Sequence, residues 1–153
     1  MTTKNGLLLL EYQNDFLSHG GILEPLIQKD DSFLSQSIEL LKFGREEKVT
    51  VFHIPLQPSK MINNYGILKT VADSGSFKSN TWGSEFITEM DPLDSEVIIK
   101  NKAGISAFQD TNLDRELKAK GVTRIYIAGL LTNICLESTV RDAYDRGYQV
   151  TVV

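Results

Sequence analysis

Leu7, Leu8, Leu9 and Leu10 form an unbroken apolar run, preceded by Gly6 and followed by Glu11 and Tyr12. Strand side chains point alternately to the two faces of a sheet, so a run without a polar break needs cover on both faces. Gly6 to Tyr12 is therefore expected as a central strand of a parallel sheet, with helices packed above and below it.

The rest of the chain supplies such neighbours in alternation. Ser32 to Lys48 carries Phe33, Ile38 and Leu41 and ends in charges, the pattern of an amphipathic helix. Val49 to Ile54 is β-branched and aromatic and stops at Pro55, which makes a second strand, and Glu96 to Lys100 reads as a third. Thr111 with Asp114 matches a helix-start signature, Leu113 and Leu117 share a face, and Gly121 closes that helix. Val122 to Ala128 is a fourth strand, Thr132 to Arg146 a helix with Leu136, Val140 and Ala143 on one side, and Tyr148 to Val153 begins a fifth strand. The alternation predicts an α/β fold of three layers, α/β/α, around a mostly parallel sheet. At 153 residues without an internal repeat, one domain over residues 1–153 suffices.

Composition narrows the partners. The net charge is −4 and no run of Lys or Arg could follow a phosphate backbone, so nucleic acid is not expected. Leu7 to Leu10 is too short for a signal-peptide core or a membrane span. One cysteine permits no internal disulfide, which suits a reducing cytoplasm.

Chemistry concentrates at the strand ends, the edge where open α/β sheets form their sites. Glu11 closes the first strand, and a carboxylate there is costly to bury without a partner. Lys100 and Lys102 close the third. Cys135 sits near the start of the last helix, where unpaired N–H groups and the helix dipole favour a thiolate and predict a lowered pKa. The segment Leu56 to Asp94, rich in Ser, Asn, Gly and Lys and expected to hold a short helix around Glu85 to Met90, should reach the same edge. Two readings stand side by side: an acid, an ammonium and a thiol that divide the labour of acyl transfer, or a structural ion pair beside a cysteine that merely packs.

Three blocks carry a family resemblance: LLLLEYQNDF (Leu7 to Phe16), TWGSEFITEMDPLDSEVIIKNKAGISAFQDTNLDREL (Thr81 to Leu117) and GLLTNICLESTVRDAYDRGYQVTVV (Gly129 to Val153). In order and each at a strand end, they resemble the isochorismatase-like cysteine hydrolases, the superfamily that includes nicotinamidases and N-carbamoylsarcosine amidohydrolase. The resemblance places the family nucleophile on Cys135. It places the catalytic lysine on Lys102, four residues before Ser106, Ala107 and Phe108. The family's catalytic aspartate falls on Glu11, a departure whose extra methylene carries the carboxylate about 1.5 Å further unless the backbone yields. A displacement of that size can cost about a hundredfold in rate. The resemblance also implies a non-proline cis peptide between Leu130 and Leu131, with the Leu131 and Cys135 N–H groups as an oxyanion hole.

The implied activity is hydrolysis of a C–N bond in a small amide, ureido or carbamoyl compound through a thioester, without a cofactor. Phe16, Trp82 and Phe108 are the expected pocket residues, with His53 expected in the pocket or the core. His53 lacks the acidic partner of the metal-binding relatives and His19 lies apart, so no metal site is expected. Relatives continue past the fifth strand with an Asp-containing loop, a helix and often a sixth strand. The chain is accordingly expected to lack the family's last strand and helix and to form a homo-oligomer, a dimer or larger, that covers its sheet edge. The alternative function is a catalytically weakened relative that serves as a binding or assembly protein.

Overall fold

The leucine run becomes β1 (Asn5–Leu10), the middle strand of a five-stranded sheet in a computed structural model that describes residues 3–27, 31–58 and 66–153. Each of its leucines is at most 2% exposed. Leu8 and Leu10 pack with Phe52, Ile54, Ile125 and Ile127 on one face, and Leu7 and Leu9 with Leu41, Val51 and Met90 on the other. Burying a leucine contributes about 2 kcal/mol, which is why this strand occupies the centre and not an edge.

Around it lie β2 (Thr50–Ile54), β3 (Val97–Ile98), β4 (Arg124–Gly129) and β5 (Gln149–Val152), all paired in parallel in the order β3-β2-β1-β4-β5. The helices are α1 (Asn14–Leu17), α2 (Asp31–Glu46), α3 (Ile67–Asp73), α4 (Leu113–Ala119) and α5 (Glu137–Asp145). Leu41 of α2 belongs to one core cluster, whereas Leu113 and Leu117 of α4 and Ala143 of α5 belong to the other. The α/β/α layering expected from the alternation is the one observed. The strand order reverses between β1 and β4, and a crevice forms outside the strand ends at such a reversal.

Three elements differ from expectation. The third strand pairs over Val97–Ile98 only. Ile99 N–H still donates to the His53 carbonyl at 2.8 Å, but Lys100 N–H then bonds Asn112 Oδ1 at 2.8 Å and Asn101 N–H bonds Gln57 Oε1 at 2.7 Å. Side chains have replaced the ladder. The helix expected around Glu85 to Met90 is two single 3₁₀ turns, Trp82–Ser84 and Thr88–Met90. The helix from Thr132 opens with a π turn, Thr132–Leu136, before α5. Within Leu56 to Asp94, residues 59–65 lie outside the described residues, and α3 occupies part of the remainder. Among the described residues, no helix is long and apolar enough to cross a membrane.

Candidate active site

Glu11 follows the last residue of β1, Lys102 lies four residues beyond β3, and Cys135 sits in the π turn after β4. The fold brings the three together at the strand-order reversal. Lys102 Nζ is 2.5 Å from Glu11 Oε1 and 3.6 Å from Cys135 Sγ, and it donates to the Gly104 carbonyl at 2.9 Å. Their exposures are 1%, 0% and 3% for Glu11, Lys102 and Cys135. The extra methylene of Glu11 is accommodated, and the lysine in the site is Lys102, since Lys100 is exposed.

Local chain geometry explains the convergence. Glu11 adopts φ 65°, a left-handed value that costs a non-glycine residue about 1 kcal/mol or more and stops β1 abruptly. Its N–H donates to Ile54 O at 2.9 Å, and its carbonyl accepts Gln13 N–H at 2.8 Å. At the end of β4, Gly129 has φ 137°, and a Cβ there would lie 2.2 Å from the Leu10 carbonyl oxygen, so only glycine fits. The next peptide, Leu130–Leu131, is cis.

Residues that sequence reasoning did not single out hold the lysine and the cysteine in place. Gln57 N–H donates to Lys102 O at 2.7 Å while its side chain takes Asn101 N–H, so one glutamine staples both sides of that peptide to the end of β2. Thr139, fully buried, donates to Cys135 O at 2.7 Å and accepts Ala107 N–H at 2.9 Å, tying the lysine loop to the cysteine turn. The QNDF block anchors the surrounding loops. Gln13 bonds both backbone groups of Leu56 and the Ser84 carbonyl, Asn14 the Trp82 carbonyl, and Asp15 the N–H groups of Phe77 and Ile22. The available signal was their polarity directly after a buried strand, since polar groups there need partners.

The electrostatics correct the expected lowered thiol pKa. Burial first, and then the charge of Glu11, push the Cys135 thiol up to about 12, and Lys102 only partly offsets them. Burial and the Glu11 charge thus favour the protonated thiol over the thiolate. Burial works against the Lys102 ammonium, but Glu11 and Cys135 outweigh it and raise the lysine pKa. Among the described residues, the partners of the Glu11 carboxylate are the Lys102 ammonium and the Cys135 thiol, and the ammonium supplies the opposite charge.

A cavity of about 150 Å³ opens onto Glu11 and Cys135. Of the expected pocket residues, Phe16 lines it. Trp82 is 51% exposed and lines a separate groove of about 750 Å³, which Leu56 divides from the cavity. Phe108 is a correction: it is core, stacked on Tyr148 with centroids 6.0 Å apart and covered by Arg146, because the Ser106–Ala107 segment is pinned to α5. His53 likewise falls in the core and not in the cavity. It is fully buried in β2, its Nε2 lies 2.8 Å from Glu96 Oε2, and burial pulls its pKa down against the influence of Glu96. The acidic partner missing from its sequence neighbourhood stands 43 residues away. Among the described residues, no group of three or more His, Cys, Asp or Glu could hold a metal.

This parallel α/β/α sheet, with a cysteine, a carboxylate and a lysine at its reversal, has the design of the isochorismatase-like cysteine hydrolases. The Isochorismatase domain family matches residues 5–153, and the chain belongs to it. It is similar to the uncharacterized isochorismatase family protein YddQ of Bacillus subtilis, 28% identical over 154 residues, which span 100% of this chain and 76% of that one. It is also similar to the ureidoacrylate amidohydrolase RutB of Variovorax paradoxus, 37% identical over 67 residues covering 44% of this chain and 26% of that enzyme. Among solved structures, a cysteine hydrolase from Pseudomonas syringae pv. phaseolicola superposes with a TM-score of 0.84 at 25% identity, over 98% of this chain and 70% of that one.

Proposed function

We propose that this chain hydrolyses the C–N bond of a small amide, ureido or carbamoyl compound, with Cys135 as nucleophile, Glu11 as proton carrier and Lys102 as fixed cation. The family and its amidohydrolase relatives support amide hydrolysis. The division of labour is supported by one observation: a buried ammonium 2.5 Å from a carboxylate and 3.6 Å from a thiol, beside a cavity.

Charge conservation explains why a neutral thiol serves here. Carboxylate, thiol and ammonium sum to zero, and so do carboxylic acid, thiolate and ammonium. Passing the thiol proton to Glu11 therefore adds no net charge to the buried site and leaves sulfur facing Lys102. The sulfur attacks the carbonyl carbon, and the Leu131 and Cys135 N–H groups hold the oxyanion. Glu11 returns its proton to the departing nitrogen as the C–N bond breaks, leaving a thioester. Water, deprotonated by Glu11, attacks the thioester and expels the Cys135 thiolate as the acid forms, and Glu11 returns the proton to sulfur to restore the thiol.

Ammonia release from a panel of small amides, with mass analysis of an acyl adduct on Cys135, tests this. Cys135→Ala should lose both signals while keeping its fold, and a Cys135→Ala variant that still turns over overturns the nucleophile. The raised thiol pKa favours a second reading, a relative that binds without turnover, in which the intact protein accumulates no adduct and releases no ammonia.

A further inference from the structure

We infer that the substrate's acyl portion is small, uncharged and apolar, an inference that rests on the hydrolase reading and narrows it. The cavity facing Cys135 and Glu11 is lined by Phe16, Leu23, Leu56, Leu68, Val71 and Ile134 among others, and its volume is about 150 Å³. An apolar cavity of that size holds a molecule of roughly benzene dimensions. Leu26 and Ile67, 73% and 52% exposed, also line it and keep its outer wall apolar.

Among the described lining residues, the one charged side chain is Glu11. An anionic substituent would lose its water against leucine and valine side chains and would face the Glu11 carboxylate. The Lys102 ammonium is engaged with that carboxylate and with the Gly104 carbonyl. Thr70 and Ser74 add polar atoms to the lining without charge. The neighbouring groove of about 750 Å³ contrasts in chemistry, with Gln13, Asn14, Asn80, Glu85 and Asp91 in its wall and neither Glu11 nor Cys135. After attack the acyl group stays bonded to sulfur, so the cavity beside the sulfur selects that half of the substrate and the nitrogen leaves.

Two primary amides of equal heavy-atom count test the inference: 4-methylpentanamide, which ends in an isopropyl group, and succinamate, which ends in a carboxylate of similar size. The intact protein should favour the apolar amide by at least about a hundredfold in kcat/KM. In Val71→Lys, which places an ammonium in the half-buried lining, succinamate should improve by at least about tenfold. Equal or better turnover of succinamate by the intact protein overturns the inference and leaves the hydrolase reading standing. If neither amide releases ammonia, the hydrolase reading is decided by the wider panel and the Cys135 adduct, and the selection is tested on its own: 4-methylpentanal and 4-oxobutanoate, which add to thiols as hemithioacetals, are compared for protection of Cys135 from alkylation. Protection by the apolar aldehyde at the lower concentration supports the selection. Protection by the charged one, or by neither, overturns it.

Discussion

Glu96 and Glu11 are both carboxylates buried beside a cation, and the protein treats them in opposite ways. Glu96 bonds Arg45 through two nitrogens at 2.8 and 2.9 Å, His53 Nε2 at 2.8 Å and Leu93 N–H at 2.9 Å. Burial opposes its charge, but Arg45, Leu93 and His53 outweigh burial and hold the carboxyl at about 2. Glu11 has one ammonium and one thiol as partners among the described residues, with no guanidinium and no backbone N–H on it, and it faces a cavity. Saturation fixes the first carboxylate as a clamp between α2, β2 and the approach to β3. Unsaturation leaves the second able to accept a proton and give it back.

The contrast breaks most sharply at sulfur. Cys135→Ala should lower kcat by at least about 10⁴-fold with little change in melting temperature, because residues that act as a unit fail together. Lys102→Met removes the ammonium that compensates a buried carboxylate. Unfolding free energy should fall by about 3 kcal/mol or more in denaturant titration, and kcat by at least about a hundredfold. Equal stability of Lys102→Met and the parent protein would show that Glu11 does not depend on its ammonium.

Glu96→Ala should cost about 3 kcal/mol of stability, measured the same way, while the folded protein keeps its turnover. The carboxyl of Glu96 is lower in the fold than its ordinary 4.5, so the stability it contributes is present above that value and is lost as pH falls toward about 2. The melting temperature of the parent should drop through that window, and that of Glu96→Gln should drop less. The smallest effect belongs to the staple. Gln57→Leu should cost about 1 kcal/mol and roughly tenfold in kcat with KM unchanged, because it loosens the lysine loop without touching the cavity.

What the sequence revealed follows from how local each cause is. The leucine run demanded two covered faces, and the sheet closed around it as β1. The shortened β3 was not legible, because Gln57 and Asn112, remote in the chain, take over its hydrogen bonds. His53 looked partnerless because its carboxylate comes from another strand's approach. A helix start is visible in sequence and predicts a lowered thiol pKa, whereas the burial that dominates here and raises it is a property of the whole fold. Spacing left Lys100 and Lys102 both open, and the family resemblance chose the one that the structure buries.

Cys135 alkylation followed against pH in the parent protein and in Glu11→Gln tests most directly whether carboxylate and thiol share one proton. The parent should alkylate with a midpoint displaced upward, toward about 12. Glu11→Gln removes the negative charge while Lys102 remains, so its midpoint should fall by at least about one unit even as turnover is lost. An identical midpoint in the two proteins would contradict the shared proton, and with it the role given to Glu11.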